Sequence, residues 1–349
     1  MTDLRSYSIS FPLFGENFKI NPPAYLSLFG FRIYFYGIAI ALGFLLAVLY
    51  CFRRCKSFGF KADTIIDMLL CGVPSAVVCS RLYYCAFQWS YYSQNPIKIL
   101  DIRDGGLAIY GGVIGAVVAV WIFAQVRKIP TGALLDVGSF GLLIGQAVGR
   151  WGNFFNREVF GVPTNLPWRM GLIDPDTGAT QYVHPLFLYE SLWNILGFLL
   201  LHIFSKKVKK RFDGEYILLY VIWYGAGRAM LESIRASVDI LYLGSIPISQ
   251  LVGALSAFLA AVLLVVNLVR HRSKVSLWVD SPDNPFNAPL PSGTGTAPDV
   301  KFAAGETPAE PAQEGPPEKP SAEEIPDGDQ EAHSDLTQVQ QQKQEENHG

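Results

Sequence analysis

Seven apolar stretches near membrane-spanning length dominate the first 274 residues of this chain, at about 34–52, 65–89, 107–126, 134–155, 186–205, 215–234 and 247–269. A helix that crosses hydrocarbon needs ~20 consecutive apolar residues. The expected architecture is therefore an all-α polytopic membrane protein with seven transmembrane helices. The second stretch is interrupted by Pro74 and the fourth by glycines. Residues 1–33 contain Pro22-Pro23 and no basic segment leading into an apolar run, so no cleavable signal peptide is expected there.

Basic residues in short loops set the orientation. Arg53, Arg54, Lys56 and Lys61 follow the first stretch, and Arg127 and Lys128 follow the third. Lys206, Lys207, Lys209, Lys210 and Arg211 follow the fifth, and Arg270, Arg272 and Lys274 follow the seventh. These groups alternate with loops poorer in Lys and Arg, which predicts an N-terminus outside and a C-terminus in the cytoplasm. The longest external loop, about 156–185, is expected to form a small cap between the fourth and fifth stretches.

Charge divides the chain in two. Residues 1–274 hold 25 Lys/Arg and 15 Asp/Glu, a net of +10, whereas residues 275–349 hold 3 and 15, a net of −12. The second part is rich in Pro, Glu, Gln and Ala and poor in large apolar residues, so it is expected to be a disordered acidic cytoplasmic tail. Cys51, Cys55, Cys71, Cys79 and Cys85 lie in or beside the apolar stretches without CxxC or zinc-like spacing. They are read as small packing residues, with no disulfide framework.

With that topology the intramembrane polar residues gather at one depth. The fourth stretch closes on Gly149-Arg150-Trp151-Gly152-Asn153, followed by Asn156, Arg157, Glu158 and Gly161. On a helix, Gln146, Arg150, Asn153 and Arg157 share a face, and beside them Gly138, Gly141, Gly145, Gly149 and Gly152 form a stripe suited to close helix packing. Arg81 lies in the outer half of the second stretch, Tyr36 opens the first and Tyr110 opens the third. His184, Tyr189 and Glu190 open the fifth, and Gln250 opens the seventh. Tyr224, Arg228, Glu232 and Arg235 make one stripe on the outer half of the sixth, where Arg228 and Glu232 stand one helical turn apart. Aromatic belts account for Tyr34, Tyr83 and Tyr84. Charges buried in a membrane are costly and either functional or paired. Arg81, Arg150 and Arg228 outnumber the acids on their side, which points to an anion, and at that depth to a phospholipid phosphate gripped by guanidinium.

The segment Gly149-Arg150-x-Gly152-Asn153-Phe154-x-Asn156-x-Glu158-x-x-Gly161 resembles the signature of the prolipoprotein diacylglyceryl transferases. Asp104-Gly105-Gly106, Gly111-Gly112, His184-Pro185 with Tyr189-Glu190, and Tyr224-Gly225-x-x-Arg228-x-x-x-Glu232 match as well, over roughly residues 30–270. The resemblance implies transfer of the diacylglyceryl group of phosphatidylglycerol onto the lipobox cysteine thiol of a precursor's signal peptide, releasing glycerol phosphate. It implies a bacterial inner or plasma membrane, a site facing outward, and no metal, redox cofactor or nucleic acid. One position departs from the family: a histidine ahead of the Gly-Gly pair, proposed to assist catalysis, is Tyr110 here. Tyrosine is a hydrogen-bond donor at neutral pH, and a general-base role does not carry over to it.

In the mechanism this suggests, Arg150 holds the lipid phosphate and Asn153 donates to the headgroup. Arg228 binds the phosphate or sits near the thiol. Glu158 and Glu232 either hold those arginines or accept the thiol proton. Tyr110 orients the headgroup, Tyr36 and Tyr224 line the lipid's way in, and Asn156 adds to the phosphatidylglycerol site. Two rival classes are an anion or lipid transporter, which should show repeated halves with broken helices, and a non-catalytic lipid-binding membrane protein. No duplicated motif is visible in this sequence.

Overall fold

The computed structural model describes residues 6–284 and 287, apart from 16, 29–30, 102–104, 237–241 and 272–276. All of them belong to the first of two compact units, Met1–Leu290. Asp104 and the second unit, Pro291–Gly349, lie outside the described residues, and so does nearly all of the stretch expected to be a disordered tail.

In chain order, strands β1 (Ser8–Ser10), β2 (Lys19–Ile20), β3 (Tyr25–Leu28) and β4 (Phe31–Tyr34) lead into helix α1 (Phe35–Arg54). Then come α2 (Ala62–Phe87), the short α3 (Trp89–Tyr92), α4 (Ile109–Arg127) and α5 (Thr131–Asn156). Strands β5 (Met170–Ile173) and β6 (Thr180–Val183) precede α6 (Leu186–Lys207) and α7 (Glu215–Glu232). Strands β7 (Tyr242–Leu243) and β8 (Ile246–Pro247) precede α8 (Ile248–Arg270). Each apolar stretch read from the sequence thus contains one long helix. Six of these, α1, α2, α4, α5, α6 and α8, are long and apolar enough to cross a membrane. The seventh, α7, has 18 residues and carries Glu215, Arg228 and Glu232 among them.

The long elements are all helices, as expected of an all-α polytopic membrane protein, and among the described residues three small sheets of short strands accompany the bundle. The largest has the order β2-β1-β5-β6, with Ile9 opposite Leu172 and Met170 opposite Val183. Its strands are two to four residues long, and β1 finds β5 across more than 150 residues, so no local period announces them. The sheet buries Ile9, Met170, Leu172 and Val183 with Phe187 of α6 beneath it.

Helix α5 is the centre of the bundle, packed on α1 and α6, while α7 lies against α8 and α2 against α4. The glycine stripe of α5 faces α1. A Cβ on Gly145's partner Gly43 would come within 3.1 Å of the Gly145 carbonyl oxygen, and one on Gly152 within 2.7 Å of the Tyr36 ring. Gly141 meets Cys51 and Gly149 meets Ile40, whereas a Cβ on Gly138 would meet open space. Small residues thus bring the two backbones together along nearly the length of α5.

At the end where α5 begins, Asp136 is fully buried and accepts hydrogen bonds from the backbone N–H groups of Gly214 (2.9 Å), Tyr216 (2.8 Å) and Ile217 (3.0 Å). It caps α7 from another helix, satisfying donors that a helix start leaves open. Lys210 joins it at 3.2 Å and reaches Asp213 at 2.6 Å. Beside them Trp278, inside the stretch assigned by composition to the tail, is buried. Its indole donates to the Gly59 carbonyl at 3.1 Å, and its backbone N–H donates to Asp213 at 2.8 Å. The packed part of the chain therefore continues beyond residue 274, because one large aromatic there finds a slot.

Candidate active site

The site is built where α5 and α7 end and α6 begins. Helix α5 stops at Asn156, and Arg157 (φ 53°) and Val159 (φ 56°) both adopt left-handed backbone. A β-branched residue in that region is strained, and such strain is held in place by its surroundings. The reversal carries Glu158 back onto the helix end, where Asn153 donates to its Oε1 at 2.9 Å. Gly161 then bonds the His184 carbonyl at 2.9 Å, and Val162 bonds the Ile234 carbonyl at 2.8 Å. A Cβ at Gly161 would lie 2.6 Å from that of His184, so glycine lets the three helix ends meet.

Between them runs a chain of charges. Arg150 of α5 pairs through Nε with Glu190 of α6. Arg228 of α7 pairs with the other Glu190 oxygen at 3.1 Å and with Glu232 at 2.7 Å. Glu232 also accepts from Ser249 at 2.6 Å and from Arg235 at 3.3 Å. Three guanidinia thus share two carboxylates, which leaves one positive charge. Beside them lies a narrow crevice, lined among others by Arg150, Glu190, Asn194, Tyr224 and Arg228. The Arg150 side chain lines the crevice and is 21% exposed, so its guanidinium is within reach of an anion there.

The structure brings together most of the residues singled out from sequence. Arg150, Arg228, Glu232 and Tyr224 converge on the charge chain. Asn153 and Glu158 form a second group, and Tyr36, whose ring lies against Gly152, is within electrostatic reach of Glu158 and Arg150. Tyr110 and Tyr224 are within electrostatic reach of Arg228. Asn156 ends α5, and its side-chain oxygen has no partner among the described residues.

Two arginines read alongside these do other work. Arg81 gives its N–H groups to the carbonyls of Lys98, Ile99, Asp101, Gly105 and Gly106, at 2.6–3.0 Å. It holds the loop that starts α4, and with it Tyr110, so it adds no spare charge to the crevice. Arg157 does not share the helical face of Arg150, since it lies past the helix end. It is 1% exposed and donates to the carbonyls of Tyr7, Phe155 and Pro22 and to Asn21.

Glu190 is the residue that sequence reasoning left without a role. An acid in the first turns of an apolar helix, opposite two arginine-bearing helices, was the signal available for it. The aromatic pair beneath the crevice carried no such signal. Trp193 and Trp223 stack at 4.3 Å and 17°, and each indole N–H donates to the other's carbonyl, at 3.1 and 3.0 Å. Each sits on a glycine of the opposite helix, Trp193 on Gly227 and Trp223 on Gly197, where a Cβ would collide. This clamp sets α6 against α7 and so Glu190 against Arg228.

The chain is similar to proteins of one known family. The family described as prolipoprotein diacylglyceryl transferase matches residues 23–266. Three proteins named phosphatidylglycerol–prolipoprotein diacylglyceryl transferase are similar to the chain. That of Bacillus cytotoxicus is 41% identical over 249 residues, 70% of this chain and 90% of its own length. That of Enterococcus faecalis is 43% identical over 253 residues, covering 70% and 89%. That of Finegoldia magna is 42% identical over 240 residues, covering 69% and 93%.

Proposed function

The chain belongs to the prolipoprotein diacylglyceryl transferase family, and from that premise we propose how its charge network carries out the reaction. The enzyme transfers the diacylglyceryl group of phosphatidylglycerol to the lipobox cysteine of prolipoproteins, forming a thioether and releasing glycerol phosphate, in lipoprotein maturation. The observation that carries the mechanism is that Arg150 and Arg228 both line the crevice, with Glu190 alone among its acids. A phosphodiester brings the negative charge that such a pair of guanidinia fits.

Arg150 takes the phosphate through its guanidinium, with Arg228 beside it and Asn153 toward the headgroup. The cysteine sulfur attacks the glycerol methylene carbon. A carbon–sulfur bond forms and the carbon–oxygen bond to phosphate breaks, its electron pair staying on that oxygen. The leaving phosphate gains a second negative charge, so the guanidinia bind the transition state more tightly than the lipid. They also lower the thiol's pKa, since positive surroundings favour thiolate. Glu190 and Glu232 each face two arginines. Glu158 keeps an oxygen without a partner among the described residues, and it takes the thiol proton directly or through water. Tyr110 orients the headgroup, and Tyr36, Tyr224 and Asn156 line the lipid's place.

In this reading all seven long helices cross a bacterial inner or plasma membrane, α7 with its charges paired inside the bundle. The basic ends of α1, α4, α6 and α8 then face the cytoplasm and the charge network faces outward. Lipid and signal peptide arrive from the bilayer, and glycerol phosphate leaves to the outside water. The test is purified protein in phosphatidylglycerol vesicles with a lipobox peptide, read by mass. A gain of one diacylglyceryl group on the peptide is expected, and an unchanged peptide would overturn the reading.

A further inference from the structure

Asn194 lies in α6 four residues, about 6 Å, further into the bundle than Glu190. It is 2% exposed, it lines the crevice beside Arg150 and Arg228, and its Oδ1 has no hydrogen-bond partner among the described residues. A buried acceptor without a donor is costly, and few are left so in folded chains. Beside the crevice, that oxygen is able to accept a donor brought by a ligand.

The two substrates differ in what they offer at that depth. With its phosphate on Arg150 and Arg228, phosphatidylglycerol places only ester carbonyls and hydrocarbon further in. Its hydroxyl donors sit on the headgroup glycerol, on the outer side of the phosphate. The precursor's cysteine, by contrast, carries an S–H and a backbone N–H. In-line displacement also requires the sulfur opposite the departing phosphate oxygen, on the inner side of the reacting carbon. We infer that Asn194 receives the reacting cysteine of the precursor peptide, its side-chain oxygen accepting a hydrogen bond from that residue. Asn194 is then a positioning residue for the peptide and not for the lipid.

The inference rests on the transfer reaction proposed above, and the experiment separates the two. Wild type, Asn194→Leu and Asn194→Met, two apolar side chains of similar reach, are assayed in phosphatidylglycerol vesicles. Three non-reacting lipobox peptides compete, with serine, alanine or N-methylalanine in place of cysteine. The serine-to-alanine ratio of inhibition constants reports a side-chain donor, and the alanine-to-N-methylalanine ratio reports the backbone N–H. In wild type, one of these ratios is expected to be about fivefold, the worth of one net hydrogen bond. It should fall to about one in both variants, with the KM for phosphatidylglycerol unchanged. Ratios that survive in either folded variant, or a lipid KM that moves with peptide affinity, would overturn the assignment. A wild-type enzyme that transfers nothing would instead strike the reaction itself.

Discussion

Two buried carboxylates near opposite ends of one bundle are held in opposite ways. Asp136 takes three backbone N–H groups from the start of α7 and the ammonium of Lys210. Glu190 takes only side chains, one guanidinium from α5 and one from α7. Backbone donors are fixed by the fold itself, and once Asp136 has them nothing nearby is left to bind a ligand. The partners of Glu190 are multivalent. Arg150 pairs with it and still lines the crevice. Burial of charge in an apolar helix therefore does not mark a site. The mark is a buried charge whose partners have hydrogen-bonding capacity to spare.

Substitution should separate the two ends, first and most strongly at the closed one. Asp136→Ala orphans three amides and strips Lys210 of one of its two acids, so about 4 kcal/mol of stability should be lost. Thermal unfolding in detergent reads this, while transfer per folded molecule stays near wild type. Arg150→Ala should do the reverse. Diacylglyceryl transfer falls about 100-fold, on the order of 3 kcal/mol in the barrier, with little change in unfolding temperature because Glu190 keeps Arg228. Arg150→Lys retains the charge, loses the planar fork and is expected to be severely impaired. An unfolded Arg150→Ala protein would erase the contrast.

A smaller effect is expected at Tyr110. Tyr110→Phe should slow transfer by about fivefold, the loss of one hydrogen bond, and Tyr110→His should remain active. Abolished turnover in a folded Tyr110→Phe protein would place the phenol in the chemistry itself. Least of all should follow from deleting residues 291–349. Trp278 and Asn284, which pack inside the first unit, are kept in that deletion. Transfer rate and unfolding temperature should both match the full chain, and a large loss of activity would tie the acidic segment to the site.

The positions of the long helices could be read directly, because hydrocarbon-length runs and a glycine stripe are local signals. The Arg228–Glu232 pair was legible too, since it joins positions one turn apart on a single helix. Arg150 and Arg228 could be placed at one depth, although their bridge through Glu190 spans three helices. The true uses of Arg81 and Arg157 could not be read. Both serve main-chain carbonyls, which every residue possesses, so nothing in the sequence distinguishes the acceptors. The capping role of Asp136 escaped for the same reason, its partners being amides about 80 residues away.

The stacked indoles of Trp193 and Trp223 also make the molecule its own optical gauge. Among the described residues this is the one pair of tryptophans in ring contact. Rings so close couple their electronic transitions and give a paired signal in circular dichroism that vanishes once they part. Because one ring rides on α6 and the other on α7, and Trp193 borders the crevice, that signal measures the separation of the two helices at the site. Any change in the spacing of α6 and α7 at this seam can therefore be followed in the unlabelled protein, with light alone.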